Sequence, residues 1–138
     1  MNEKAIRGIF PFLYMKLEEA VRKILELGGE RVKFIILFGS QARGGARKDS
    51  DIDLCVYYEG SPKEAFRFRE LVLGYLSDKY DVQVFQLLPV YLRRECLRGK
   101  VLFCRDETFL HDLAYETLKE WEDFKRYYYD YLGLEAIE

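Results

Sequence analysis

The sequence predicts an α/β domain in which a mixed sheet of three or four strands is packed with helices and closed by a long C-terminal helix. Three observations lead there. Short β-branched and aromatic runs alternate with longer runs of helical periodicity. Glycine, proline and helix-capping residues mostly fall between those runs. The last apolar stripe, Glu107 to Leu132, is far longer than the others. At 138 residues the chain fits one domain, 1–138, with a chemical core at about 30–88 and the C-terminal helix at about 107–132.

From Pro11, the apolar positions Leu13, Leu17, Ala20, Val21, Ile24 and Leu25 recur at helical spacing until Gly28-Gly29 stops them. Val32 to Phe38 is a continuous β-branched and aromatic run bounded by Gly39, the pattern of a buried strand. Ser40 to Arg43 has room for a short helix before Gly44-Gly45, and Asp51 to Tyr58 alternates as a second strand. Ser61-Pro62-Lys63-Glu64 is a helix start, with Ser61 as N-cap, Pro62 at the first helical position and Glu64 closing a capping box. The helix behind it is expected to bury Ala65, Phe66, Leu71, Val72, Tyr75 and Leu76. Val82 to Leu87 follows as a third strand introduced by Asp81. Pro89 to Leu97 reads as a short helix ended by Gly99, and Val101 to Cys104 as a short strand. The final helix, Glu107 to Leu132, carries Leu110, Leu113, Ala114, Leu118, Trp121, Phe124, Tyr128 and Tyr131 on one face.

Composition narrows the function. The balance of 49% apolar and 33% charged residues is that of a soluble globular protein, and a net charge of −2 argues against a long nucleic acid as partner. Cys55, Cys96 and Cys104 are odd in number and lie in or beside apolar runs, so they read as reduced, packed thiols of a cytoplasmic protein. A single histidine, His111, and the lack of a CxxC pair oppose a zinc site. With no signal pattern and no long uncharged apolar segment, no membrane is expected.

The chemistry is concentrated in the stretch LFGSQARGGARKDSDIDLCVYY, Leu37 to Tyr58. Side chains alternate across a strand, so Asp51 and Asp53 share one face, where two like charges are costly unless a cation lies between them. Oxygen-only ligation of this kind suits Mg²⁺ or Mn²⁺, which take their remaining ligands from water and substrate phosphates. Gly39 lets the backbone approach a phosphate, and a helix starting at Ser40 would aim free N–H groups at that anion, with Arg43 one turn later on the same side. A two-metal phosphoryl transfer needs a third acid, and Asp81 fits better than Asp78, which falls at a helix end.

Blander readings exist for each feature. Asp51 and Asp53 alone would suit a solvated acidic strand edge, but the glycine-serine corner and the third acid would then have to be accidents. Arg43 is as easily a surface arginine, Arg47 and Lys48 read as loop solvation, and His111 is assigned no role. The Tyr127-Tyr128-Tyr129 run divides between core stripe and exposed surface, which makes the C-terminal helix the candidate surface for a homo- or hetero-oligomer.

Gly39-Ser40, ten intervening residues, Asp51-x-Asp53 and a later lone Asp81 together resemble the signature of the DNA polymerase β nucleotidyltransferase superfamily. The wording SxARGxxxxDSDIDL and the short length resemble its minimal nucleotidyltransferases, and the aromatic C-terminal helix resembles the antitoxins encoded beside HEPN-domain toxins. That resemblance implies a polymerase β-like nucleotidyltransferase fold and transfer of AMP from ATP to a tyrosine of a HEPN RNase toxin. It also implies that Asp51, Asp53 and Asp81 hold the metal, with Gly39, Ser40 and Arg43 binding the nucleoside triphosphate. Two alternatives stay open: nucleotidylation of a small molecule such as an aminoglycoside, and an antitoxin that neutralises by binding alone.

Overall fold

The continuous apolar run Val32–Phe38 (β1) is paired on both sides in the computed structural model, which describes residues 15–39 and 51–133. Its neighbours are Ile52–Tyr58 (β2) and Lys100–Cys104 (β4), both antiparallel, and Tyr80–Val84 (β3) runs parallel to β2 at the far edge. The sheet order is therefore β3-β2-β1-β4, four strands in a mixed sheet. A parallel neighbour needs a crossover, supplied by the helix Pro62–Tyr75 (α2) between β2 and β3. Leu17–Gly28 (α1) precedes the sheet, Val90–Leu97 (α3) lies between β3 and β4, and Glu107–Leu132 (α4) follows it. Of the expected first helix, Pro11 and Leu13 lie outside the described residues. Among the described residues, no helix is long and apolar enough to cross a membrane.

Each sheet face has its own core. Val32, Ile35, Leu37, Leu54, Val56 and Val82 pack against Ala20 and Ile24 of α1 and Phe68 and Val72 of α2. Phe34, Ile36, Cys55 and Phe85 face the other way, toward Cys96 of α3 and Phe109, Leu110 and Leu113 of α4. A register irregularity between Val32 and Phe34 is what puts Val32 and Ile35 on the same face despite their odd spacing. The capping box of α2 forms as its residues predict: Ser61 Oγ accepts from Glu64 N–H at 3.1 Å and Glu64 accepts from Ser61 N–H at 3.0 Å.

Three expectations need correction. The buried stripe of α2 is Ala65, Phe68, Val72 and Leu76; Phe66, Leu71 and Tyr75 are exposed, because Phe68 takes the inward position by stacking on Tyr58 at 4.1 Å. The third strand is Tyr80–Val84, so Asp81 lies within it instead of introducing it. The chain leaves the ladder at Phe85–Leu87, a 3₁₀ turn, because the Gln86 side-chain amide bonds the backbone N–H and C=O of Tyr58 in place of a further strand residue. Along α4, Thr117 and Trp121 are buried whereas Leu118, Phe124 and Tyr131 are exposed. Past Trp121 the helix packs on α3, where Tyr128 stacks on Tyr91 at 5.1 Å.

Two glycines are expected to respond in opposite directions. A Cβ on Gly99 would collide with the carbonyl oxygen of Leu37 and come within 2.9 Å of Ile36 Cγ2, so Gly99→Ala should cost about 1–3 kcal/mol. Gly74, in the last turn of α2, has open space around it, and Gly74→Ala should stabilise by about 0.5 kcal/mol. Urea unfolding midpoints of the two variants check both signs.

Candidate active site

At the end of β1, Phe38 pairs with Asp53 across the antiparallel ladder, and Asp53 pairs with Asp81 across the parallel one. Neighbouring strands are about 4.8 Å apart, so in-register residues present their side chains together on one face. Gly39 follows Phe38 at φ +76°, a left-handed conformation that L side chains rarely adopt, and a Cβ there would stand 2.6 Å from Asp53 Oδ2. Glycine is required twice over, by dihedral and by contact. Asp51 stands exposed one residue before β2, close enough for its charge to act on Asp53.

Beside these groups is a pocket of about 220 Å³ lined by Phe38, Asp53, Asp81, Gln83, Leu88 and Leu92. Its polar side chains are those of Asp53, Asp81 and Gln83, and its apolar ones those of Phe38, Leu88 and Leu92. Arg93 of α3 braces the apolar side, donating to the Leu88 carbonyl at 3.0 Å and pairing with Glu120 of α4 at 3.0 Å.

The electrostatics are uneven. Burial, then Asp81, then Asp51 push the Asp53 carboxyl above its ordinary value, and among the described residues no hydrogen bond or ion pair offsets them. Asp81 is held instead. Gln83 Nε2 donates to its Oδ2 at 3.0 Å, and Arg69 of α2 brings a guanidinium nitrogen to 3.7 Å from Oδ1 while its Nε donates to the Val82 carbonyl at 2.7 Å.

The structure thus brings together Gly39, Asp51, Asp53 and Asp81, while Ser40 and Arg43 lie outside the described residues. The sequence reading missed Gln83 and Arg69. Gln83 was discoverable, being two residues from Asp81 on the same strand face, whereas Arg69 depends on how α2 docks. Cys55 and Cys96 are buried, Cys104 is half-buried, and all three are free thiols. Among the described residues, no three His, Cys, Asp or Glu side chains converge as a ready-made metal cage.

A left-handed glycine set against in-register strand carboxylates leaves the backbone open to close approach beside acidic oxygen atoms in an α/β domain. Residues 19–108 match the family described as Polymerase beta, Nucleotidyltransferase, and the chain belongs to that family. It is 33% identical over 92 residues to the Methanocaldococcus jannaschii protein MJ1547, provisionally named a protein adenylyltransferase, covering 67% of this chain and 71% of that one. MJ1305 of the same organism, named in the same way, is also 33% identical over 92 residues, covering 64% of this chain and 57% of that one. Among solved structures, the fold matches a chain of a toxin–antitoxin crystal structure with AMP-PNP at a TM-score of 0.65 and 18% identity, covering 85% of this chain and 95% of that chain. It also matches a chain of a complex of tri-AMPylated Shewanella oneidensis HEPN toxin with MNT antitoxin at a TM-score of 0.60 and 16% identity, covering 83% and 91%. At these identities the likeness establishes the shared minimal nucleotidyltransferase fold.

The charge crowding at Asp53 carries a stability prediction. Because its carboxyl sits above its unfolded value, the stabilisation this group provides is complete below the unfolded value and is lost as pH rises through the folded one. Asp53→Asn should therefore stabilise the metal-free protein near pH 7, by less than about 1 kcal/mol since water still screens the site. The gain should vanish near pH 3, where the native carboxyl is protonated; thermal unfolding at the two pH values checks it.

Proposed function

We propose that the chain is a single minimal nucleotidyltransferase domain acting in the cytoplasm as an antitoxin, transferring AMP from ATP to a tyrosine hydroxyl of a HEPN-domain RNase toxin. The observation that carries this reading is the Gly39–Asp53–Asp81 row, which sets a phosphate-approach corner beside in-register carboxylates. The relatives support the choice of reaction: two are named for protein adenylylation, and one structural neighbour contains a tri-AMPylated HEPN toxin.

The residues fit a divalent cation. Asp51, Asp53 and Asp81 offer only carboxylate oxygen, burial and then mutual repulsion raise Asp53, and oxygen-only donors suit Mg²⁺ or Mn²⁺, which are completed by water and substrate phosphates. When bound, the cation would offset phosphate charge and lower the pKa of the acceptor hydroxyl. Gly39, Ser40 and Arg43 would seat the triphosphate, with the Gly39 backbone free of any Cβ that would block approach. The pocket beside Asp81 would seat the acceptor. Its oxygen forms a bond to the α-phosphorus, the bond to pyrophosphate breaks with the electron pair leaving on pyrophosphate, and the hydroxyl proton passes to solvent. Catalysis then rests on positioning and charge.

The apolar walls Phe38, Leu88 and Leu92 favour an acceptor with a flat hydrocarbon body and one terminal hydroxyl. An aminoglycoside would press several hydroxyls and ammonium groups against those walls without partners, each at a cost of about 1–3 kcal/mol. Neutralisation by contact alone leaves the carboxylate row without a purpose.

Labelled ATP, Mg²⁺ and the protein encoded by the adjacent gene supply the test. Label should pass to that protein, and Asp51→Ala with Asp53→Ala should reduce transfer more than about a hundredfold. Gly39→Ala should reduce it about tenfold or more, through the strained dihedral and the crowding of Asp53. Label transfer indifferent to the double substitution would sink the catalytic reading, and toxin neutralisation in cells that survives it would establish the contact mechanism.

A further inference from the structure

We propose that Gln83 and Arg69 are positioning residues that hold Asp81 toward Asp53. The inference rests on the nucleotidyltransferase reading above, in which Asp81 is the third acid. Two ionised carboxylates in register on adjacent strands repel, and Asp81 is on an edge strand with 41% of its side chain exposed, so water offers it an easy way out. Something must oppose that outward rotation.

Both carboxylate oxygens have a counterweight. Gln83, one full pleat further along β3 on the same face, donates to Oδ2 at 3.0 Å. Arg69 reaches round the sheet edge from α2, which covers the opposite face. Its Nε is anchored on the Val82 carbonyl at 2.7 Å, Nη2 stands 3.7 Å from Oδ1, and Nη1 stands 3.7 Å from Glu70. That bond to Val82 also occupies an edge carbonyl that β3 has no further strand to satisfy. Gln83 thus fixes Asp81 from further along β3, inside the pocket that both share with Asp53, and Arg69 fixes it from the outer edge, an arrangement expected for partners that orient a metal-binding carboxylate. Gln83 makes the shorter, direct contact and, among the described residues, its side chain bonds only Asp81; Arg69 also holds the Val82 carbonyl and pairs with Glu70.

The test uses the full chain and Mn²⁺ alone, with free Mn²⁺ read by electron paramagnetic resonance. Gln83→Met keeps the length of the side chain and removes the donor, and should weaken Mn²⁺ binding about tenfold with thermal stability nearly unchanged. Arg69→Met should weaken it by a smaller factor, about threefold, with some loss of stability from the released edge carbonyl. On an Asp81→Asn background, Gln83→Met should add less than about twofold, since its effect runs through the missing acid. Gln83→Met within twofold of the native chain, or with its full effect persisting on Asp81→Asn, would overturn the proposal while leaving the nucleotidyltransferase reading intact. Asp81→Asn with native Mn²⁺ affinity would overturn the proposal together with the metal role given to Asp81.

Discussion

Register at Asp53 is the constraint on which the rest depends. Phe38, Asp53 and Asp81 lie in one row across three strands, and a slip of one residue in either pairing would turn a carboxylate to the opposite face. No interaction among the acids can hold that row, since their charges repel. It is held by the hydrocarbon above and below: Leu54, Val56, Val82 and Val84 are buried, and on the acidic face Cys55 and Phe85 are buried just beyond the site. β2 is thus apolar on both faces beyond Asp53, and Val82 and Val84 bury one face of β3, so a slipped register would bury an aspartate.

The parallel pairing of β2 with β3 makes α2 indispensable, because only a crossover can return the chain to the same end of the sheet. Its start is fixed with unusual redundancy. Glu64 accepts from the Ser61 backbone and also from Arg31 at 3.0 Å, and these hydrogen bonds hold its carboxyl down at about 2. Arg31 stands just before β1, so the cap ties the crossover helix to the central strand. Tyr58 at the end of β2 is stacked beneath Phe68 of the same helix. Start and middle of α2 are therefore referenced to the two central strands, which delivers Arg69 to the outer edge of β3 in a fixed place.

Much of this was legible in the sequence. The strand Val32–Phe38, the second strand expected from Asp51 and found from Ile52 to Tyr58, the capped start at Ser61 and the bounds Glu107–Leu132 of the last helix follow from local composition and punctuation, which act within a few residues. Gly39 follows from dihedral preference and the face of Asp53 from alternation, whereas Asp51, expected within the strand, stands one residue before it. What was not legible depends on distant partners. The inward face of α2 was read too broadly, because a stripe of apolar residues does not say that Tyr58 will select Phe68 over Phe66 and Leu71. The third strand was placed too late because nothing local announces that Gln86 will substitute for a strand residue against Tyr58. Arg69 is invisible for the same reason, since its use requires α2, the edge of β3 and Asp81 to be assembled first.

A site built this way separates folding from chemistry. Both hydrophobic layers close without Asp51, Asp53 or Asp81, and the acids add electrostatic strain rather than cohesion, with burial and like charge both acting against Asp53. Strain of that sign is what a cation-binding site requires. If the carboxylates were satisfied by protein donors on every side, a divalent ion would have to compete with those donors as well as with its own water shell. Among the described residues Asp53 has no donor, while Asp81 has Gln83 along its strand and Arg69 at the sheet edge. The charge is therefore concentrated at the middle of the row, next to the glycine where a phosphate can come closest, and the restraint is at the edge, where the side chain has the most freedom to leave.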